Sequence, residues 1–112
     1  MRVLAAEITR EKMFLRLHEE LPYQATVETD IWAEKKDGSV RIHQTLYVTR
    51  GSHKGMAIGR GGETLKWISQ NARKDIEEIL ERPVHLFVHV KVRPNWIDER
   101  EHYTSVGLDF DA

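Results

Sequence analysis

The chain has 112 residues, enough for one domain and too few for two well-filled ones. Seventeen Lys and Arg stand against eighteen Asp and Glu, so the net charge of -1 excludes a global pull on nucleic acid and leaves only local patches. With no cysteine there are no disulfides or thiolate metal sites, and no apolar run reaches the length of a membrane helix, so we expect a soluble, cytoplasmic domain.

Residues 3–20 carry Leu4, Ile8, Phe14, Leu15 and Leu17 as an apolar stripe, which predicts a helix. Leu21-Pro22 ends it, because the residue before proline is pushed out of the helical region. From Tyr23 the period is two. Tyr23, Ala25, Val27, Ile31 and Ala33 share one face, and Gln24, Thr26, Glu28, Asp30, Trp32 and Glu34 share the other. An Asp-Gly turn at 35–39 leads to a second alternating run, Val40, Ile42, Leu46 and Val48, so the two strands form a hairpin. A short helical segment around His53 to Ile58 precedes a glycine turn. Leu65, Ile68, Ala72, Ile76 and Leu80 then repeat at helical spacing up to Arg82-Pro83. Val84, Leu86, Val88, Val90 and Val92 alternate with His85, Phe87, His89, Lys91 and Arg93 as a last strand, which Pro94 closes. A short helix is expected at Trp96, followed by a weakly patterned tail that is partly ordered at best.

The order α-β-β-α-α-β implies an α+β fold. A helical crossover lets the second and third strands lie side by side and parallel, and the hairpin adds an antiparallel strand. We expect a mixed three-stranded sheet with three helices on one face, forming a single domain over 1–108, and a tail at 109–112.

The most informative stretch is MAIGRGGETLKWI, residues 56–68, where Gly59, Gly61 and Gly62 fall within four positions at a helix entrance. Unpaired N–H groups and a positive helix end are suited to a phosphate there. Arg50, Lys54, Arg60 and Lys66 oppose only Glu63, so the near-neutral chain has a basic patch at its barest turn. Ile58 and Leu65, with Ile68, are spaced to line a groove beside it. A tight turn between packed helices would also explain the glycines; local charge, rigid flanks and apolar neighbours favour a site. Gly62 is followed by Glu63, which rules out the phosphate loop of nucleoside-triphosphate hydrolases, and no strand leads into the glycines as a dinucleotide fingerprint needs. There is no nucleophile–base pair or metal set, so catalysis is not expected from this chain.

Other residues have simpler explanations. His85 and His89 are about 13 Å apart along one strand face, too far for one ion. Glu28, Asp30 and Glu34 read as a solvated outer face, and so do Glu77, Glu78 and Glu81 on the long helix. Trp67 is assigned to the core rather than the groove. The last strand's second face, with Phe87, Lys91, Arg93 and its histidines, has the chemistry to bind RNA or a protein, although plain exposure also accounts for it.

Ile58-Gly59-Arg60-Gly61-Gly62, followed by Leu65 and Ile68, resembles the I-G-x-x-G core of KH domains, and the element order resembles their type II arrangement. The longer blocks AAEITREKMFLRLHEELPY at 5–23 and NARKDIEEILERPVHLFVHVKV at 71–92, with W-x-D-E-R from Trp96, are similar to the C-terminal KH domain of the Era family of bacterial GTPases. The resemblance implies binding of the single-stranded 3′ end of 16S ribosomal RNA during small-subunit assembly. Ile58, Gly59, Arg60, Gly61, Gly62 and Leu65 would form the clamp, with Lys54 and Lys66 at its margins. It also implies the 30S subunit and an N-terminal GTPase domain as partners, GTP and Mg only on that other domain, and peripheral association with the inner face of the cell membrane. A protein-interaction module docking on the GTPase domain or a ribosomal protein is the alternative. In one respect the sequence departs from the family, which usually has Lys or Arg just before the last motif glycine. Here Gly61 stands there and the base is Arg60.

Overall fold

Between residues 2 and 17 every fourth residue turns toward the sheet. Helix α1 (Arg2–Leu17) buries Ala5, Thr9, Met13 and Leu17, while Leu4, Phe14 and Leu15 are exposed. The expected stripe is therefore corrected by rotation onto a neighbouring face. Thr9 is the reason hydropathy misplaces it. Its hydroxyl donates to Gln44 Oε1 at 2.5 Å, Gln44 Nε2 donates to Thr29 Oγ1 at 3.4 Å, and Thr29 Oγ1 donates to the Arg2 carbonyl at 2.9 Å. Both Thr9 and Gln44 are fully buried, so this relay satisfies polar groups that would otherwise be costly and pins the helix to the sheet. The computed structural model describes residues 1–17 and 25–93. The expected helix end at 18–20, its stop at Leu21-Pro22, the strand start at Tyr23, the helix at Trp96 and the tail lie outside the described residues.

Strand β1 (Thr26–Glu34) runs antiparallel to β2 (Val40–Val48), and β2 runs parallel to β3 (Val84–Val92), giving the sheet order β1-β2-β3. Alternation along β1 breaks at Asp30. Thr29 pairs with Gln44 and Ile31 with His43, so Asp30 is an extra residue, a β-bulge. The bulge reverses the expected parity beyond it. Ile31 is exposed on the outer face, and Trp32 packs inward against the core formed by Ala5, Val40, Ile42, Ile76 and Val84. Asp30 Oδ2 accepts from Thr45 Oγ1 at 2.5 Å on the outer face. The hairpin closes as its Asp-Gly signal predicts. Gly38 has φ +90°, and Asp37 Oδ1 accepts from both the hydroxyl and the N–H of Ser39, which holds its carboxyl below the usual range.

Two helices cross from β2 to β3. Helix α2 (Gly51–Ile58) and helix α3 (Glu63–Leu80) are separated by the glycine turn. Helix α3 buries Ile68, Ala72 and Ile76, with Leu65 and Leu80 half-buried, as its spacing predicts. Lys12 on α1 meets Asp75 on α3 at 2.6 Å, a hydrogen bond that holds the ammonium above its ordinary pKa. A second core, of Met13, Leu17, Leu46, Val48, Ala57, Ile68, Val88 and Val90, lies at the turn end of the molecule.

Helix α3 ends on Glu81 in the left-handed region (φ 56°, ψ 37°), with its N–H on the Glu77 carbonyl. A side chain is strained there, and glycine is the usual occupant. Glu81→Gly is expected to raise stability by about 0.5–1 kcal/mol, net of the extra freedom of the unfolded chain. Urea denaturation reads this as a higher midpoint; a lower midpoint would contradict it.

Candidate nucleic-acid interface

The glycine turn follows from three conformations that only glycine takes easily. Gly59 has φ 76° and ψ 174°, Gly61 φ 63° and ψ 19°, and Gly62 φ 80° and ψ 10°. The first lies in a region almost confined to glycine. A Cβ on Gly59 would also stand 2.3 Å from Thr64 Oγ1 and 2.8 Å from the Thr64 backbone nitrogen. At Gly61 and Gly62 a Cβ would meet nothing within 4 Å. Gly59 therefore lets the turn lie on the start of α3, while the other two leave open space in front of it.

Not every N–H of the turn is available. Gly59 N–H is bonded to the Gly55 carbonyl at 2.9 Å, Gly62 N–H to the Gly59 carbonyl at 3.1 Å, and Glu63 N–H to the Arg60 carbonyl. The N–H groups of Arg60 and Gly61 take no backbone acceptor among the described residues. Of the four N–H groups from Gly59 to Gly62, two adjacent ones are thus open. They lie at the exposed apex, where successive amides make an anion-binding concavity.

Arg50, Lys54, Arg60 and Lys66 are all exposed, and none forms an ion pair among the described residues. Their charge is therefore unspent within the fold. Ile58 and Leu65 are half-buried and pack on the turn-end core, so each presents part of its side chain beside the turn. Ile68 is fully buried and does not line a groove, which corrects the expectation for it. Trp67 packs against the same core with the Arg16 guanidinium 5.5 Å from its ring centroid, a cation–π contact that sequence spacing did not reveal.

The strand facing the turn is β3. It is an edge strand, and both α2 and α3 contact it. Two bonds fix its phase. Val40 N–H reaches the Pro83 carbonyl, and Arg93 N–H reaches the Val48 carbonyl. In a parallel ladder alternate residues bond the neighbour, so the odd-numbered residues face β2. Leu86, Val88 and Val90 therefore direct their N–H and C=O groups to the free edge, and Val84 N–H, of the same phase, is taken by Glu77 Oε1 at 3.3 Å. Sequence reading could not choose this strand, because alternation shows faces and not edges. Among the described residues no three His, Cys, Asp or Glu side chains gather as a metal site.

The chain is similar to known proteins in sequence and in fold. A family model for the KH domain matches residues 20–97. The GTPase Era of Sinorhizobium medicae (strain WSM419) is 64% identical over 110 residues, covering 98% of this chain and 36% of that protein. The GTPase Era of Caulobacter vibrioides (strain NA1000 / CB15N) is 60% identical over 111 residues, covering 99% of this chain and 35% of that one. The chain thus spans about a third of the length of these relatives. Two solved structures superpose with a TM-score of 0.81 at 36% identity, over 92% of this chain and 35% of theirs. One is Aquifex aeolicus Era bound to GDP.AlF4-, and the other is Era in complex with MgGDPNP and nucleotides 1506-1542 of 16S ribosomal RNA. Fold and matched span agree: the chain belongs to the KH domain family, in the type II arrangement and in the form found at the C-terminus of Era.

Proposed function

We propose that this KH domain binds single-stranded RNA across its glycine turn, as part of an Era-like GTPase that recognises the 3′ end of 16S ribosomal RNA during assembly of the 30S subunit. The observation that carries this is the pair of open N–H donors at Arg60 and Gly61, on a stretch from Arg50 to Lys66 that has four cations without an ion pair among the described residues, in a chain of net charge -1. A phosphate is held by the two amides and the Arg60 guanidinium. About four nucleotides fit a turn of this type. Their bases lie on Ile58 and Leu65, and their edges meet the backbone groups of Leu86, Val88 and Val90. Lys54 and Lys66 draw the flanking phosphates. GTP and Mg belong to the GTPase domain of the longer protein, which works in the cytoplasm and at the inner face of the membrane. The complex of an Era relative with a 16S RNA fragment supports the choice of RNA.

The experiment is a salt titration of binding to a labelled RNA copying the 16S 3′ end, against a scrambled RNA of equal length. Up to four phosphate contacts predict a slope of log K against log salt of about -2 to -3, with tighter binding of the first RNA. A flat salt dependence would favour instead a docking surface for the GTPase domain or a ribosomal protein.

A further inference from the structure

The sheet face opposite the helices carries a row of flat rings beside that edge. Arg41, His43, Thr45 and Tyr47 of β2 lie in register beside His85, Phe87, His89 and Lys91 of β3. The His43 ring stacks on Phe87 with centroids 4.7 Å apart and planes 23° apart, and on His89 at 6.0 Å and 14°. His43 Nε2 is buried without a hydrogen-bond partner among the described residues, so stacking holds this ring. Phe87 remains 46% exposed on top of it. At the far end the Arg93 guanidinium lies 3.9 Å from the Tyr47 ring centroid.

Charge and position both point to an occupant. Three cations, Arg41, Lys91 and Arg93, face two carboxylates, Glu28 and Asp30. Glu28 is paired with Arg93 at 3.3 Å, and Asp30 is bonded to Thr45. Arg41 and Lys91 are exposed without an ion pair among the described residues. Phe87 and His89 alternate along β3 with Leu86, Val88 and Val90, which pack in the same cluster as Ile58 and Leu65. Each ring is thus about 3.3 Å along the strand from a residue whose backbone groups face the free edge. A protein partner fits less well. Ile31 and Phe87 are the large apolar side chains exposed on this face among the described residues, whereas a stable interface needs about 800 Å² from each side.

We propose that this outer face is a second nucleotide subsite, where one or two bases of the same single strand stack on Phe87 and His89 after the chain crosses the β3 edge. Arg41 and Lys91 hold the phosphates of that extension. The proposal rests on the RNA-binding function of the turn.

A four-nucleotide RNA and an eight-nucleotide RNA extended on both sides separate the two. Stacking of one base is worth roughly ten-fold in affinity, so the longer RNA is expected to bind at least ten-fold tighter. Phe87→Leu, which keeps an apolar side chain and removes the ring, should abolish that gain and leave the four-nucleotide affinity unchanged; Lys91→Glu should do the same. A 2-aminopurine placed beyond the central four should be quenched on binding to the native protein and not to Phe87→Leu. If the gain and the quenching persist in Phe87→Leu, the subsite is wrong while the turn stands. If the four-nucleotide RNA binds no better than it does to Arg60→Asp, the turn function fails and the subsite with it.

Discussion

Gly59→Ala should cost this domain about 2–4 kcal/mol and most of its RNA affinity. Two penalties combine. Alanine must adopt φ 76° and ψ 174°, a conformation essentially confined to glycine. Its methyl must also clear Thr64, whose hydroxyl oxygen and backbone nitrogen would be 2.3 and 2.8 Å away. The backbone nitrogen cannot swing aside, because it belongs to the first turn of α3. The turn must then rebuild, which moves the Arg60 and Gly61 amides. Gly61→Ala is the control: it lies in the ordinary left-handed region with open space, so about 1 kcal/mol is expected. Urea unfolding of both variants tests the ranking. A Gly59→Ala protein as stable as Gly61→Ala would contradict the close approach to Thr64.

Replacing Arg60 and Gly61 together by Asp should weaken single-stranded RNA binding by on the order of 100-fold with the fold retained. The change removes one cation and sets two carboxylates where a phosphate sits. Structure should survive because Arg60 is exposed and makes no ion pair among the described residues. Asp also tolerates the left-handed conformation of Gly61 better than most residues do. Circular dichroism and the urea midpoint check the fold, and fluorescence anisotropy reads the affinity. Binding within a few-fold of the native protein would remove the turn from the mechanism. Gly61 has room for a side chain, so Gly61→Lys tests whether a base at this position adds a phosphate contact.

Much of this was legible from residue order. The helix α3 stripe, the Asp-Gly hairpin, the parallel crossover and the glycine turn all follow from local periodicity and backbone preference. What sequence misplaced has physical causes. A single extra residue at Asp30 sends Trp32 inward and Ile31 outward, and nothing in the alternation marks a bulge. Helix α1 turns Thr9 to the core because Gln44 waits there, a long-range pairing hidden from a hydropathy stripe. Glu28, Asp30 and Glu34 are exposed, as expected, and they also bond Arg93, Thr45 and Arg82, pairings between separate segments that alternation does not show. In the site, the residue types were readable, but two properties needed coordinates. One is which turn amides are already bonded, and the other is which residues of β3 face the free edge.

The central claim is that phosphate is held by two specific backbone donors beside an edge of base-reading groups. The most direct test is amide nuclear magnetic resonance during titration with a four-nucleotide single-stranded RNA. The largest shifts should fall on the Arg60 and Gly61 N–H groups, accompanied by Leu86, Val88 and Val90, with Gly59 and Gly62 moving less because their N–H groups are already bonded. Saturable binding that leaves the Arg60 and Gly61 amides unmoved would contradict the account.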